Sequence, residues 1–222
     1  MSDPNTAPDF SAAALITIDV QRDVLDGGPF EIAGTSAALE HMRELAHAFR
    51  AIGGPIVHIV RLYRSDASNV DLCRRSVVRG GLRALTPGEP GSQLASELLP
   101  EATLELDYQT LLAGGVQLLG PREVAIYKPR WGAFYRTSLE DHLRELGVNT
   151  LVFTGCNFPN CPRTSIYEAS ERDFRVVLAR DALSGLYERG ERELAAIGVR
   201  LMSAGEVTEA LRRCTVEVAR DE

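Results

Sequence analysis

The sequence predicts a three-layer α/β/α, Rossmann-like fold with a central, mostly parallel sheet of about six strands. Short apolar runs alternate with helix-period segments along most of the chain, which implies crossover connections between parallel strands. The runs end in Gly, Pro or a polar residue, as buried strands do where they leave a sheet. The chain of 222 residues suits one large α/β domain and is short for two.

The elements follow in order. Ala13–Asp19 (AALITID) is a short apolar run ending in an acid, the first strand. Residues 35–52 place Leu39, Met42, Leu45, Ala46 and Phe49 at helical spacing, and Gly53, Gly54 and Pro55 stop that helix. Pro55–Val60 (PIVHIV) is the second strand. From Arg61 to Pro121 the pattern is irregular, with helical turns expected near 92–99 and 108–113. So long a stretch reads as a lid or an interface element. Glu123–Lys128 (EVAIYK) is a strand, 137–146 a helix and Asn149–Thr154 (NTLVFT) a strand. A helix over 162–172, a strand at Arg175–Ala179, a helix over 189–197, a strand at Val199–Met202 and a helix over 204–213 complete the domain. The domain is expected to occupy 11–214, with a flexible segment at 1–10 and a tail at 215–222.

Composition narrows the function. Apolar residues make up 45% and charged residues 25%, as in a globular protein, and the net charge of -7 argues against a nucleic-acid partner. No apolar run is long enough to span a membrane, and MSDPNTAPDF does not have the pattern of a signal peptide. A cytoplasmic location with reduced thiols is the expectation. No H-x-x-x-H or C-x-x-C spacing suggests a structural metal, and no glycine-rich phosphate motif follows the first strand. Neither a metal nor a cofactor is expected.

Parallel sheets bind ligands at the C-terminal ends of their strands, and three reactive residues fall there. Cys161 lies between the loop GCNFPN and a helix opening with Pro162, where free backbone N–H groups and the helix dipole favour a thiolate. The alternative is an inert buried cysteine acting as a small hydrophobe. Asp19 can serve a nearby thiol as a general base, or simply cap the turn after its strand. Lys128 can support a thiolate or polarise a substrate, or be an ordinary solvated lysine. His41, His47 and His142 lie on expected helices and His58 within the second strand, so none completes a Cys–His pair.

The order D-x-Q after the first strand, then K-P-R-W-G-A-F-Y-R-T-S-L, then T-G-C-N-F-P-N-C-P-R-T-S resembles the isochorismatase-like cysteine hydrolases. The similarity runs from about Ala13 to Met202. It implies a catalytic triad of Asp19, Lys128 and Cys161. It also implies a cis peptide at Cys156–Asn157 and an oxyanion hole built from the N–H groups of Asn157 and Cys161. Gln21, Trp131, Phe134, Thr137 and Phe158 are implied as substrate-binding or supporting residues, and a homo-oligomer, dimer or tetramer, as the assembly. The implied reaction is cleavage of a C–N bond (amide, carbamoyl, ureido or lactam) in a small molecule through a Cys161 thioester. The alternatives are vinyl ether hydrolysis of the isochorismatase type and a catalytically silent binding module. Departures are Pro162 after the nucleophile, Cys156 where Val is usual, and HIVRLYRSDASNVD, which lacks the Asp/His metal cluster of the nicotinamidase branch.

Overall fold

The computed structural model describes residues 3–101 and 103–221. Seven strands form one sheet: β1 (Ala13–Ile18), β2 (Ile56–Val60), β3 (Val116–Gly120), β4 (Glu123–Tyr127), β5 (Thr150–Gly155), β6 (Arg175–Leu183) and β7 (Arg200–Met202). Their order is β3-β4-β2-β1-β5-β6-β7, parallel throughout except for the β3–β4 hairpin. The helices are α1 (Thr35–Ala51), α2 (Leu72–Arg79), α3 (Tyr108–Leu112), α4 (Leu139–Glu145), α5 (Cys161–Ser170), α6 (Glu188–Ala196) and α7 (Ala204–Asp221).

Alternation along the strands builds the two outer layers. Ala14, Ile16 and Ile18 of β1 point to the face covered by Leu139 and Leu143 of α4, Ile166 and Ala169 of α5, and Leu194 of α6. Ala13 and Leu15 point to the other face, under Leu39, Met42, Leu45 and Phe49 of α1 and Val207 and Leu211 of α7. The connections run outward from β1 in both directions, so the strand order reverses there. That reversal opens a crevice above the C-terminal ends of the central strands. A second set of polar residues is buried below it. His58 bridges Thr17 Oγ1 (2.8 Å) and Glu123 Oε1 (2.8 Å), and Glu123 accepts two bonds of 2.7 Å from Arg50 of α1.

The irregular stretch 61–121 supplies the differences from the expected six strands. It contains α2 and the edge strand β3, and its turns near 92–99 are short 3-10 segments (Pro90–Ser92 and Ser96–Leu98). Leu62, Leu94, Leu106, Leu111 and Leu119 pack this stretch against Val60 and Ala125, so it walls the sheet. The chain before β1 is tied down too: Asp9 N–H donates to Thr150 Oγ1 (3.0 Å) and Asn149 Nδ2 to Asp9 Oδ2 (3.0 Å). Met1 and Ser2 of the segment expected to be flexible lie outside the described residues. At the other end α7 continues to Asp221, through most of the expected tail. Among the described residues no helix is long and apolar enough to cross a membrane.

Candidate active site

The site is assembled from the ends of adjacent strands. Asp19 leaves β1 with φ +56°, and its N–H donates to Ile59 O of β2 (2.9 Å). This left-handed turn lifts the carboxylate onto the sheet edge. Lys128 follows β4, its N–H donating to Val60 O (3.0 Å). Its fully buried side chain passes β2 to place Nζ 2.7 Å from Asp19 Oδ2 and 3.4 Å from Arg130 O. Asp19 Oδ1 is buried and, among the described residues, accepts no hydrogen bond.

Cys161 arrives from the other side of β1. Gly155 ends β5 at φ +116°, and a Cβ there would stand 2.3 Å from Ile18 O, so only glycine lets β5 and β1 close this tightly. Cys156 N–H then donates to Ile18 O (2.9 Å) and Phe158 N–H to Ser184 O, just past β6 (2.8 Å). Asn160 N–H closes a turn on Asn157 O (3.1 Å), and α5 begins at Cys161. Among the described residues neither the Asn157 nor the Cys161 N–H is taken by another group of the chain, as expected of a helix start. No peptide bond among the described residues is cis, which corrects the expectation at Cys156–Asn157. The chain reverses instead through Gly155 and through Asn160 (φ -116°, ψ -97°).

The electrostatics also correct an expectation. Burial pushes the Cys161 thiol up, and the Asp19 carboxylate within hydrogen-bonding reach pushes the same way. Lys128 and Arg61 oppose them without reversing the outcome. The helix terminus alone favoured a thiolate, but desolvation and a facing carboxylate outweigh it. That direction favours the protonated thiol at rest. Burial raises Cys156 still further, with Asp19 adding to it, and its Sγ donates to Asp19 O (3.3 Å).

Beside Cys161 lies a small recess with a cavity volume of about 20 Å³. Its polar lining is Asp19, Arg61, Tyr63, Arg74, Asn157 and the two cysteines, and its apolar lining is Val24, Phe30, Ile32 and Leu85. Arg61 directly follows β2 and is buried, with Nη1 3.3 Å from the Asp71 carboxylate and Nη2 3.9 Å from Cys161 Sγ. Tyr63 Oη donates to Asp71 Oδ2 (3.2 Å), and burial raises its pKa to about 12. Arg74 lies over the rings of Phe30 (5.4 Å) and Trp131 (5.8 Å).

The model of the isochorismatase domain matches residues 13–210. The chain belongs to the isochorismatase family. Among its relatives, a ureidoacrylate amidohydrolase of Methylorubrum extorquens is 28% identical over 188 residues, covering 78% of this chain and 70% of that protein. A probable inactive nicotinamidase of Arabidopsis thaliana is 25% identical over 205 residues, covering 89% and 95%. The crystal structure of an isochorismatase family protein from Desulfovibrio vulgaris superposes with a TM-score of 0.76 at 28% identity, over 90% of this chain and 98% of that one.

Within this isochorismatase-family site, Asp19, Lys128 and Cys161 come together, with Asn157 on the rim of the recess. Most of the residues expected to contact substrate do not line it. Gln21 is fully engaged: Nε2 donates to Arg61 O (2.9 Å) and Ser92 O (2.6 Å), while Oε1 accepts Arg61 N–H (2.8 Å). Phe134 packs on Phe174 under Arg172, and Phe158 meets Tyr187 edge-on in the core. Thr137 Oγ1 donates to Ala133 O (2.6 Å), closing a turn before α4. Trp131 lies nearby, in a separate outer groove with Leu72 and Tyr135. Aromatic residues beside a motif suit a core as well as a pocket, and here α4–α6 claim them.

Sequence reasoning overlooked Arg61, Tyr63, Asp71 and Arg74. The signal was available, since Arg61 ends a strand as Asp19 and Lys128 do. The segment after β2 brings Arg61 and Arg74 to the recess, and no three His, Cys, Asp or Glu side chains converge among the described residues.

Proposed function

We propose that the protein is a cysteine hydrolase that cleaves the C–N bond of a small amide or ureido compound, with Cys161 as nucleophile. The observation that carries this reading is the buried Lys128–Asp19 pair of 2.7 Å facing the Cys161 thiol. Desolvating two charges is costly, and such a pair survives where its geometry serves chemistry as well as stability. Lys128 fixes Asp19 Oδ2 and leaves Oδ1 free.

The thiol proton passes to Asp19 Oδ1 as Sγ attacks the carbonyl carbon. The carbonyl oxygen becomes an oxyanion and accepts from the free N–H groups of Asn157 and Cys161, each worth about 3–4 kcal/mol in the transition state. Asp19 returns its proton to the nitrogen, the C–N bond breaks, and ammonia or an amine leaves. Water then attacks the thioester, Asp19 takes its proton, and Cys161 departs to be reprotonated. The raised thiol suits this sequence, because the proton stays available until substrate arrives. The names of the amidohydrolase relatives agree with C–N chemistry.

The test is a panel of short amides and ureido acids assayed for ammonia release, with intact-mass detection of an acyl adduct. The wild type should turn over a panel member and accumulate an adduct on Cys161 that Cys161→Ala lacks. Turnover by Cys161→Ala at the wild-type rate overturns the reading.

A further inference from the structure

The recess holds two thiols, and hydrolysis uses only one. Cys156 directly follows β5 and Cys161 opens α5. Both are buried, and both line the same cavity of about 20 Å³, space for roughly one water molecule. Asp19 ties the two sulfurs together. Cys156 Sγ donates to its backbone O at 3.3 Å, and the Cys161 thiol meets its carboxylate. A single aspartate therefore spans the distance between them.

The chain between the two cysteines folds back on itself. Gly155 turns it at φ +116°, and Asn160 N–H closes on Asn157 O (3.1 Å). Asp19 Oδ1, buried and accepting no hydrogen bond among the described residues, is a base within reach of the Cys161 proton. Two neighbouring thiols beside a base are the parts of a dithiol–disulfide pair. A cavity of this size admits hydrogen peroxide, a molecule little larger than water.

We propose that Cys156 is a resolving cysteine: when a small hydroperoxide oxidises Cys161, the two residues form a reversible disulfide that blocks Cys161 and spares it irreversible oxidation. Asp19 Oδ1 takes the Cys161 proton as Sγ attacks one oxygen of the hydroperoxide. The O–O bond breaks, the departing oxygen collects that proton and leaves as water or an alcohol, and Cys161 becomes a sulfenic acid. Cys156 Sγ then attacks the Cys161 sulfur, the S–O bond breaks, and the hydroxyl leaves as water with the Cys156 proton. Two thiols lose two electrons and two hydrogens, and the hydroperoxide is reduced. Burial and the facing carboxylate hold both groups as thiols, so the first step depends on Asp19 as its base.

The experiment treats the wild-type protein with a modest excess of hydrogen peroxide, alkylates it under denaturing conditions and digests it with trypsin. Both cysteines fall in one peptide, 145–163. That peptide should lose two hydrogens and both alkylation sites together, and dithiothreitol should restore them. Cys156→Ser keeps a donor for Asp19 O, and in this variant Cys161 should pass on to a sulfinic acid that dithiothreitol does not reverse. Cys161→Ser should leave Cys156 open to alkylation after the same treatment. Two intact thiols in the wild type, or a sulfinic acid at Cys161 beside an unmodified Cys156, overturn the proposal. Oxidation of Cys156 at the wild-type rate in Cys161→Ser also overturns it. Where a variant does not fold, the wild-type peptide decides alone. The bond is read by mass and does not depend on Cys161 being the hydrolytic nucleophile. A disulfide that leaves ammonia release intact counts against that nucleophile alone, whereas turnover lost with the disulfide and recovered with dithiothreitol supports both assignments.

Discussion

Asp19→Asn should move two properties of the site in opposite directions. The substitution keeps the shape of the side chain and an oxygen for Lys128 Nζ, now 2.7 Å from Asp19 Oδ2, but removes the charge and the proton acceptor. Loss of a general base typically costs 10²- to 10⁴-fold in rate, so kcat/KM should fall by about that factor, or roughly 3–5 kcal/mol in transition-state free energy. The thiol responds the other way. Asp19 is the main charge holding Cys161 up, second only to burial, while Lys128 and Arg61 pull it down and are untouched by the change. The Cys161 pKa should therefore fall in the variant, and alkylation near neutral pH should speed up while hydrolysis collapses. Asp19→Ala would also strand the buried Lys128 ammonium, with a stability loss of about 3–5 kcal/mol, and urea titration should show Asn to be the milder change. The assay compares ammonia release, mapped alkylation and urea midpoints in one set of variants. Slower alkylation in Asp19→Asn with an unchanged urea midpoint would mean that Asp19 draws the proton off the resting thiol, and the assignment of a resting thiol would fail.

Three further outcomes are expected. Glu123 is held at about 2 rather than 4.5, because hydrogen bonds from Arg50 and His58 outweigh its burial. A lowered carboxylate adds stability above about pH 4.5 that disappears as pH falls through about 2; the shift corresponds to about 3 kcal/mol, discounted to about 2 because Arg50 is partly open to solvent. Urea midpoints of wild type and Glu123→Gln should converge across that window, and a constant gap would refute the assignment. Gly155→Ala should destabilise by about 1–3 kcal/mol or more, since its Cβ would collide with Ile18 at a positive φ; an unchanged melting temperature would contradict the close β1–β5 approach. Phe158→Ala should cost about 3–5 kcal/mol as a core deletion, and Phe158→Leu should leave KM unchanged; a KM shift without a stability loss would return Phe158 to the substrate pocket.

How much of this was legible depended on where each residue sits in the sheet. β1, β2 and β5 are covered on both faces and read as unbroken apolar runs. β3 is an edge strand with Leu118 exposed and a register shift beside it, so VQLLG shows neither alternation nor a full apolar run. In α2 the apolar Leu72 and Val77 face solvent and only Val78 is buried, which erases the helical period from LCRRSVVR. The site divides along the same line. Asp19, Lys128 and Cys161 could be picked out as reactive groups at element ends, but their meeting is a property of strand order. The sequence of neighbours β4-β2-β1-β5 sets Lys128, Arg61, Asp19 and the Gly155–Cys161 loop side by side on one edge. With β1 at the margin of the sheet instead, the same strand ends would exist, and Asp19 would have Lys128 or Cys161 beside it but not both. Chemistry here follows from two separate facts, which residues end the strands and which strands are adjacent, and only the first is written locally in the chain.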